Sequence, residues 1–159
     1  MIIRKTMLAL AGVLALTACS GSNDRAYLVK STASQADLHA NETPELRASI
    51  EHWSKHYGVP VELVQKVVIR ESRHRPEARN GPYYGLMQIL PQTARTMGFQ
   101  GPDAGLLDAD TNLRYGVKYL RGAWMVSDGD LDTAVGWYAR GYYYEAKRRG
   151  LLEATGLRG

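Results

Sequence analysis

The sequence predicts one mainly α-helical domain with irregular loops and little or no sheet. Three observations carry this. Four segments repeat apolar residues at helical spacing, capping and stop residues bracket them, and few alternating runs occur between them. The length of 159 residues suits one compact domain and hardly two.

Taken in order, the folded part begins near Thr43-Pro44, a capping residue followed by a proline at the first helical position. Leu46, Ile50, Trp53 and Tyr57 form the first stripe, and Gly58 stops it. Pro60 opens a second helix, in which Val64, Val67, Val68 and Glu71 share one face. Arg75-Pro76 closes that helix, because a residue before proline avoids the helical region. Asn80 to Tyr84 reads as a loop turned by Asn80-Gly81-Pro82. Pro91 to Met97 reads as a short helix ended by Gly98. Asp110 is expected to cap a helix with the stripe Leu113, Val117, Leu120 and Trp124. Asp130 caps the next, with Leu131, Ala134, Val135 and Tyr138 on one face and Gly141 as its stop. Tyr142 to Arg149 reads as a last helix.

The amino-terminal region is organised differently. Arg4 and Lys5 form a basic start, and Met7 to Leu16 is an apolar run too short to span a bilayer. Leu16-Thr17-Ala18-Cys19 follows and resembles the lipobox of bacterial lipoproteins, where cleavage leaves a lipidated cysteine. This divides the chain into a signal peptide (1–18), Cys19 with a flexible tether (19–42) and a folded domain (43–159). Acyl chains on Cys19 would anchor the domain without a transmembrane helix. Ser20 after the cysteine lacks the aspartate associated with the inner membrane, so the resemblance implies an outer-membrane anchor facing the periplasm. A coil of ~20 residues spans ~25 Å root-mean-square, enough to lift a domain off a membrane. Cys19 is the only cysteine, which excludes an intramolecular disulfide.

Hydrophobic content of 45% and charged content of 23% are those of a globular protein. Removing Arg4 and Lys5 from the net charge of +4 leaves +2, too little to argue for nucleic acid.

Glu71 is the chain's best clue to function. A carboxylate on an apolar stripe is costly to bury ionised, which raises its pKa as a general acid requires. The helix macrodipole acts in the same direction. Any of Arg70, Arg73, His74 and Arg75 that turns toward the carboxylate acts oppositely, and without further motifs an ion pair at the helix end is the better reading of the residue.

Glu71-Ser72 is followed by Gly85-Leu86-Met87-Gln88-Ile89 and Pro91-Gln92-Thr93-Ala94. Later come Asn112-Leu113-Arg114-Tyr115-Gly116-Val117-Lys118-Tyr119-Leu120 and Ala134-Val135-Gly136-Trp137-Tyr138-Ala139-Arg140-Gly141. This order resembles the lytic transglycosylases of the soluble-transglycosylase (SLT) type, which share a lysozyme-like fold with goose-type lysozymes. The resemblance runs from about Ile50 to Gly141. It implies that Glu71 is the single catalytic acid/base and that the substrate is the glycan strand of peptidoglycan. By position, Ser72 resembles a substrate contact or a support behind the site. Gly85, Met87 and Gln88 resemble cleft residues, and Tyr138 the tyrosine near the catalytic glutamate. The last block departs from the family pattern. Trp137 replaces an alanine, Ala139 an asparagine and Arg140 a second alanine, which motivates the alternative of a non-catalytic peptidoglycan-binding lipoprotein.

No second acid stands in these blocks, and Asp103, Asp108 and Asp110 read as loop or cap residues. A conventional glycosidase needs two carboxylates. The resemblance implies instead that the N-acetyl group of the muramyl unit assists departure and that its own 6-hydroxyl completes a 1,6-anhydro product. A hydrolytic goose-type muramidase is the other enzymatic alternative. No metal or organic cofactor is implied. His52 and His56 share a helix face but lack a third ligand, and read as surface residues. Tyr83, Tyr84, Tyr142, Tyr143 and Tyr144 suit either sugar stacking or packing. Lys147-Arg148-Arg149 reads as a solvated face with a possible part at an anionic surface.

Overall fold

The computed structural model describes residues 37–157. The expected signal peptide, Cys19 and the expected tether as far as residue 36 lie outside the described residues.

The apolar stripes become helices. α1 (Pro44–Tyr57) starts where the Thr43 hydroxyl accepts the Leu46 amide, and ends where Gly58 turns left-handed at φ 64°. α2 (Val61–Glu71) follows. Two short strands, β1 (Arg79–Asn80) and β2 (Tyr83–Tyr84), pair antiparallel. α3 (Pro91–Thr96), a 3₁₀ segment (Asp103–Leu107), α4 (Ala109–Met125), α5 (Leu131–Arg140) and α6 (Tyr143–Arg148) complete the order.

α4 packs against both α1 and α5, and α2 packs against the same two helices. Ile50, Leu63, Val64, Val68, Leu113, Val117 and Leu120 are fully buried at this junction. Two glycines allow close approach to α4. A Cβ on Gly116 would lie 2.5 Å from the Met87 sulfur, and one on Gly122 would collide with the Tyr142 hydroxyl. A smaller cluster of Ile89, Ala94, Phe99 and Leu106 lies beside the main core.

Several boundaries differ from expectation. α2 ends at Glu71, not near Arg75, because Arg73 and His74 adopt left-handed φ values of 53° and 59°. The expected loop at Asn80–Tyr84 is a hairpin. Gly81, at φ 58°, supplies the positive φ that a tight two-residue turn needs. α4 is capped by Asp108, whose carboxylate accepts the Thr111 amide at 2.8 Å. Asp110 instead sits in the first turn and accepts from the Ser49 hydroxyl and the Trp53 indole, both at 2.8 Å. It therefore fastens α1 to α4. Trp124 is only partly buried at the core edge.

The ordered chain also reaches into the region assigned to the tether. The Glu42 side chain has no solvent exposure. Its carboxylate accepts from Arg47 Nε and Nη2 and from Gln65 Nε2, each at 2.7 Å, and from the His39 amide at 2.9 Å. With the Gln65 amide nitrogen committed to Glu42, its oxygen faces His74, and His74 Nε2–H donates to it at 2.7 Å. Burial lowers the His74 pKa against the pull of Glu42. Burial raises that of Glu42, but the bonds from Arg47, His39 and Gln65 outweigh it and hold it at about 2.

The tyrosines divide. Tyr142 is buried, with its hydroxyl donating to the Tyr119 carbonyl at 2.8 Å. Tyr83, Tyr143 and Tyr144 are exposed. In the basic run at 147–149, Arg148 and Arg149 are bound by Glu145, and Arg149 also by Asp128. No helix among the described residues is long and apolar enough to cross a membrane.

Candidate active site

An open cleft of about 550 Å³ lies between the end of α2, the hairpin, α3 and the end of α5. Glu71, Gln88, Tyr138 and Arg140 line it, with Arg70 and Tyr83 beside them. Glu71 is the sole acid among the lining residues. It is the last residue of α2, so its side chain leaves the apolar face where the helix stops.

The Glu71 side chain is 23% exposed, enough to meet a ligand and too little for full hydration. Burial raises its pKa, and Arg70 partly opposes this. Arg70 Nε stands 3.4 Å from Glu71 Oε1, a charge contact without a close hydrogen bond. The net direction is upward, so desolvation outweighs the cation. The Arg70 ion pair is therefore present but does not set the direction of the shift. Arg73 and Arg75 are exposed, and the Arg75 guanidinium donates to the Ser72 carbonyl at 3.0 Å.

Tyr138 is 8% exposed and its hydroxyl donates to the Met87 carbonyl at 2.8 Å. Burial raises its pKa well above the usual value, and the Glu71 charge adds to this. It is a neutral phenol at physiological pH and no base.

Gln88 lines the cleft with a left-handed φ of 46°. Its amide nitrogen donates to the carbonyls of Gly85 and Ala78, at 2.8 and 3.0 Å. Strained backbone persists where surroundings enforce it, commonly at functional sites.

Ser72, Gly85 and Met87 are buried beneath the cleft, and none is among its lining residues. The Ser72 hydroxyl donates to the Val68 carbonyl at 3.2 Å, closing the end of α2. Gly85 has φ 71°, and a Cβ there would collide with Asn112 Nδ2 and the Leu106 carbonyl. Met87 is fully buried, with its sulfur against Gly116.

Asn112 joins these supports. Its side-chain oxygen accepts the Met87 amide at 2.8 Å, and its nitrogen donates to the carbonyls of Tyr84 and Leu106, at 2.8 and 2.7 Å. The sequence signals this twice, through a polar residue on the buried face of α4 beside Leu113 and through the Asn112–Leu120 block on which the resemblance rests. Tyr119, a further cleft residue, stands in that same block, which alone assigns it no role.

The model of the transglycosylase SLT domain matches residues 48–150. The chain belongs to this family. No solved structure matches it. The matched region of this SLT domain contains the whole cleft and excludes Glu42. Members of the family act on peptidoglycan in the cell envelope as transglycosylases, and the mainly helical architecture is that of the lysozyme-like SLT fold.

At its altered block this SLT domain builds a feature of its own. The Arg140 guanidinium carbon lies 3.9 Å from the centre of the Trp137 ring. Gly136 leaves room for it, since a Cβ there would lie 2.8 Å from Arg140 Nη1. Among the described residues no group of three metal-type ligands occurs. The His52 ring packs edge-on to Trp53 at 4.8 Å.

Proposed function

We propose that the chain is a peptidoglycan lytic transglycosylase that cleaves the β-1,4 bond between N-acetylmuramic acid and N-acetylglucosamine. The observation that carries this is the single, partly desolvated carboxylate of the cleft, Glu71. One carboxylate cannot supply both partners of a conventional glycosidase.

In the proposed reaction Glu71 donates its proton to the glycosidic oxygen as the bond from C1 to that oxygen breaks. The muramyl N-acetyl oxygen stabilises C1. Glu71, now a carboxylate, takes the proton of the muramyl 6-hydroxyl as that oxygen bonds to C1. The product is a 1,6-anhydromuramyl end, no water is consumed, and Glu71 ends protonated. Its raised pKa suits both halves of the cycle. Tyr138 and Gln88 form cleft wall against the sugar, with the Tyr138 hydroxyl and the Gln88 amide nitrogen engaged by backbone carbonyls. Ser72, Gly85 and Met87 fix the cleft floor from below.

The enzyme is proposed to be anchored through lipidated Cys19 to the outer membrane, facing the periplasm, with the tether giving it reach into the wall it remodels. Digestion of sacculi followed by mass spectrometry tests the reaction. Anhydromuramyl ends, one water lighter than reducing ends, are expected. Reducing ends alone would transfer the protein to the goose-type muramidases. Binding without release of muropeptides would make it a wall-binding lipoprotein, the reading that Trp137, Ala139 and Arg140 motivate.

A further inference from the structure

Arg140 is the unusual residue of the cleft. It is exposed and makes no ion pair among the described residues. The other lining cation, Arg70, already faces Glu71. An unpaired cation beside an acid that works protonated leaves the cleft net positive during substrate binding.

Its presentation is specific. The guanidinium lies over the Trp137 ring, and Gly136, one turn back on α5, clears the space beside it. A guanidinium stacked on an aromatic ring engages one flat face and keeps edge N–H groups able to donate. Such an edge matches the two oxygens of a carboxylate, and pre-organisation reduces the entropy lost on binding. Gly136, Trp137 and Arg140, at positions i, i+1 and i+4 of α5, thus form one device.

We propose that Arg140 is a specificity residue that binds a carboxylate carried on the 3-oxygen of the muramyl ring. This rests on the reading of the substrate as peptidoglycan. In that polymer the sugar rings are uncharged, and carboxylates hang from the lactyl ether of each muramyl unit. The group is the lactyl carboxylate itself where the stem peptide has been removed, or an acid of the stem where it remains. Uncharged chitin-type oligosaccharides offer neither, so the contact separates wall glycan from other N-acetylated polymers.

The test uses the full chain and three glycan preparations. One carries intact stems, one has stems removed to leave lactyl acids, and one has its carboxylates neutralised as amides. Arg140→Gln is expected to raise KM about tenfold on acidic strands, the scale of one lost charge-assisted hydrogen bond. It should leave KM unchanged on neutralised strands. Arg140→Lys should restore part of the difference, because charge remains and the stacked fork is lost. Gly136→Ala keeps the charge but displaces the guanidinium, and should raise KM on acidic strands alone. A loss confined to stem-bearing strands assigns the stem acid, a loss confined to stem-free strands assigns the lactyl acid, which is tied up as an amide where the stem remains, and a loss on both means that Arg140 takes either carboxylate. Equal effects on acidic and neutralised strands, or none, overturn the proposal. Absence of anhydromuramyl product from wild type would defeat the transglycosylase reading separately. The same strands titrated into Glu71→Gln protein would still report the Arg140 contact, as a Kd.

Discussion

The phenol of Tyr138 donates a 2.8 Å hydrogen bond to the carbonyl of Met87. This one bond joins α5 to the turn below the cleft and fixes the ring beside Glu71. Tyr138→Phe leaves the Met87 carbonyl without that partner in a dry setting. A loss of about 1–3 kcal/mol is expected, measured by urea unfolding. Turnover should fall as well; an unchanged kcat would remove the hydroxyl from the site.

Glu71→Gln should lower kcat by about 10²–10⁴, the usual contribution of a positioned acid or base. It should also stabilise the fold at neutral pH. The folded pKa of Glu71 is raised, so its stability is greatest below the unfolded value and declines as pH rises through the folded one. Glutamine removes that decline. Melting temperatures of the two proteins should coincide below pH 4 and separate toward pH 7, with the variant higher.

Arg70 pulls the Glu71 pKa down, and Arg70→Gln should let it rise. The reaction needs Glu71 protonated at the start, so activity falls on the alkaline side of its titration. That limb of the kcat profile should move to higher pH in the variant. A shift to lower pH would mean that Arg70 acts on another group.

Asn112 bonds three backbone groups at once. Asn112→Leu keeps the volume and strands the Met87 amide and the Leu106 carbonyl, while the Tyr84 carbonyl keeps the Ile89 amide at 3.1 Å. A destabilisation of about 3 kcal/mol or more is expected in thermal or urea melts. A loss under 1 kcal/mol would mean that the turn under the cleft can rearrange.

Glu42 behaves oppositely to Glu71 with pH. Its folded pKa is held at about 2 against an ordinary 4.5. The stability it contributes is present above pH 4.5 and is lost as pH falls toward 2. Glu42→Ala leaves the Arg47 charge without its ion-pair partner and the Gln65 amide nitrogen without its acceptor, and should cost about 3–5 kcal/mol at neutral pH. The gap between variant and wild type should close in acid.

The helices were legible because period and caps agree in one stretch of chain. Thr43, Gly58 and Asp130 mark their helix ends through local bonds alone. Asp108 and Asp110 are different. Both are capping residues by type, and the choice is made by Ser49 and Trp53, some sixty positions away in sequence. Two-residue strands are too short to alternate, so the hairpin read as a loop. Glu42 carries no local signal, since Gln65 lies 23 residues distant. Within the site, an acid interrupting an apolar stripe marked Glu71. The blocks containing Ser72, Gly85 and Met87 marked positions near it, but spacing does not say whether a side chain faces the cleft or the core beneath.

The Glu42 cluster also has a mechanical meaning. The chain enters the fold across Asp37 to Glu42, ahead of the matched residues 48–150. Arg47 of α1 and Gln65 of α2 both grip Glu42, and Asn41 holds the Arg73 carbonyl, two residues past Glu71. A pull from the amino-terminal side is shared between two helices instead of peeling the first turn of α1. A domain held by that end, as in the proposed lipid-anchored enzyme, can bear tension as the wall moves, with the strain stopped short of Glu71.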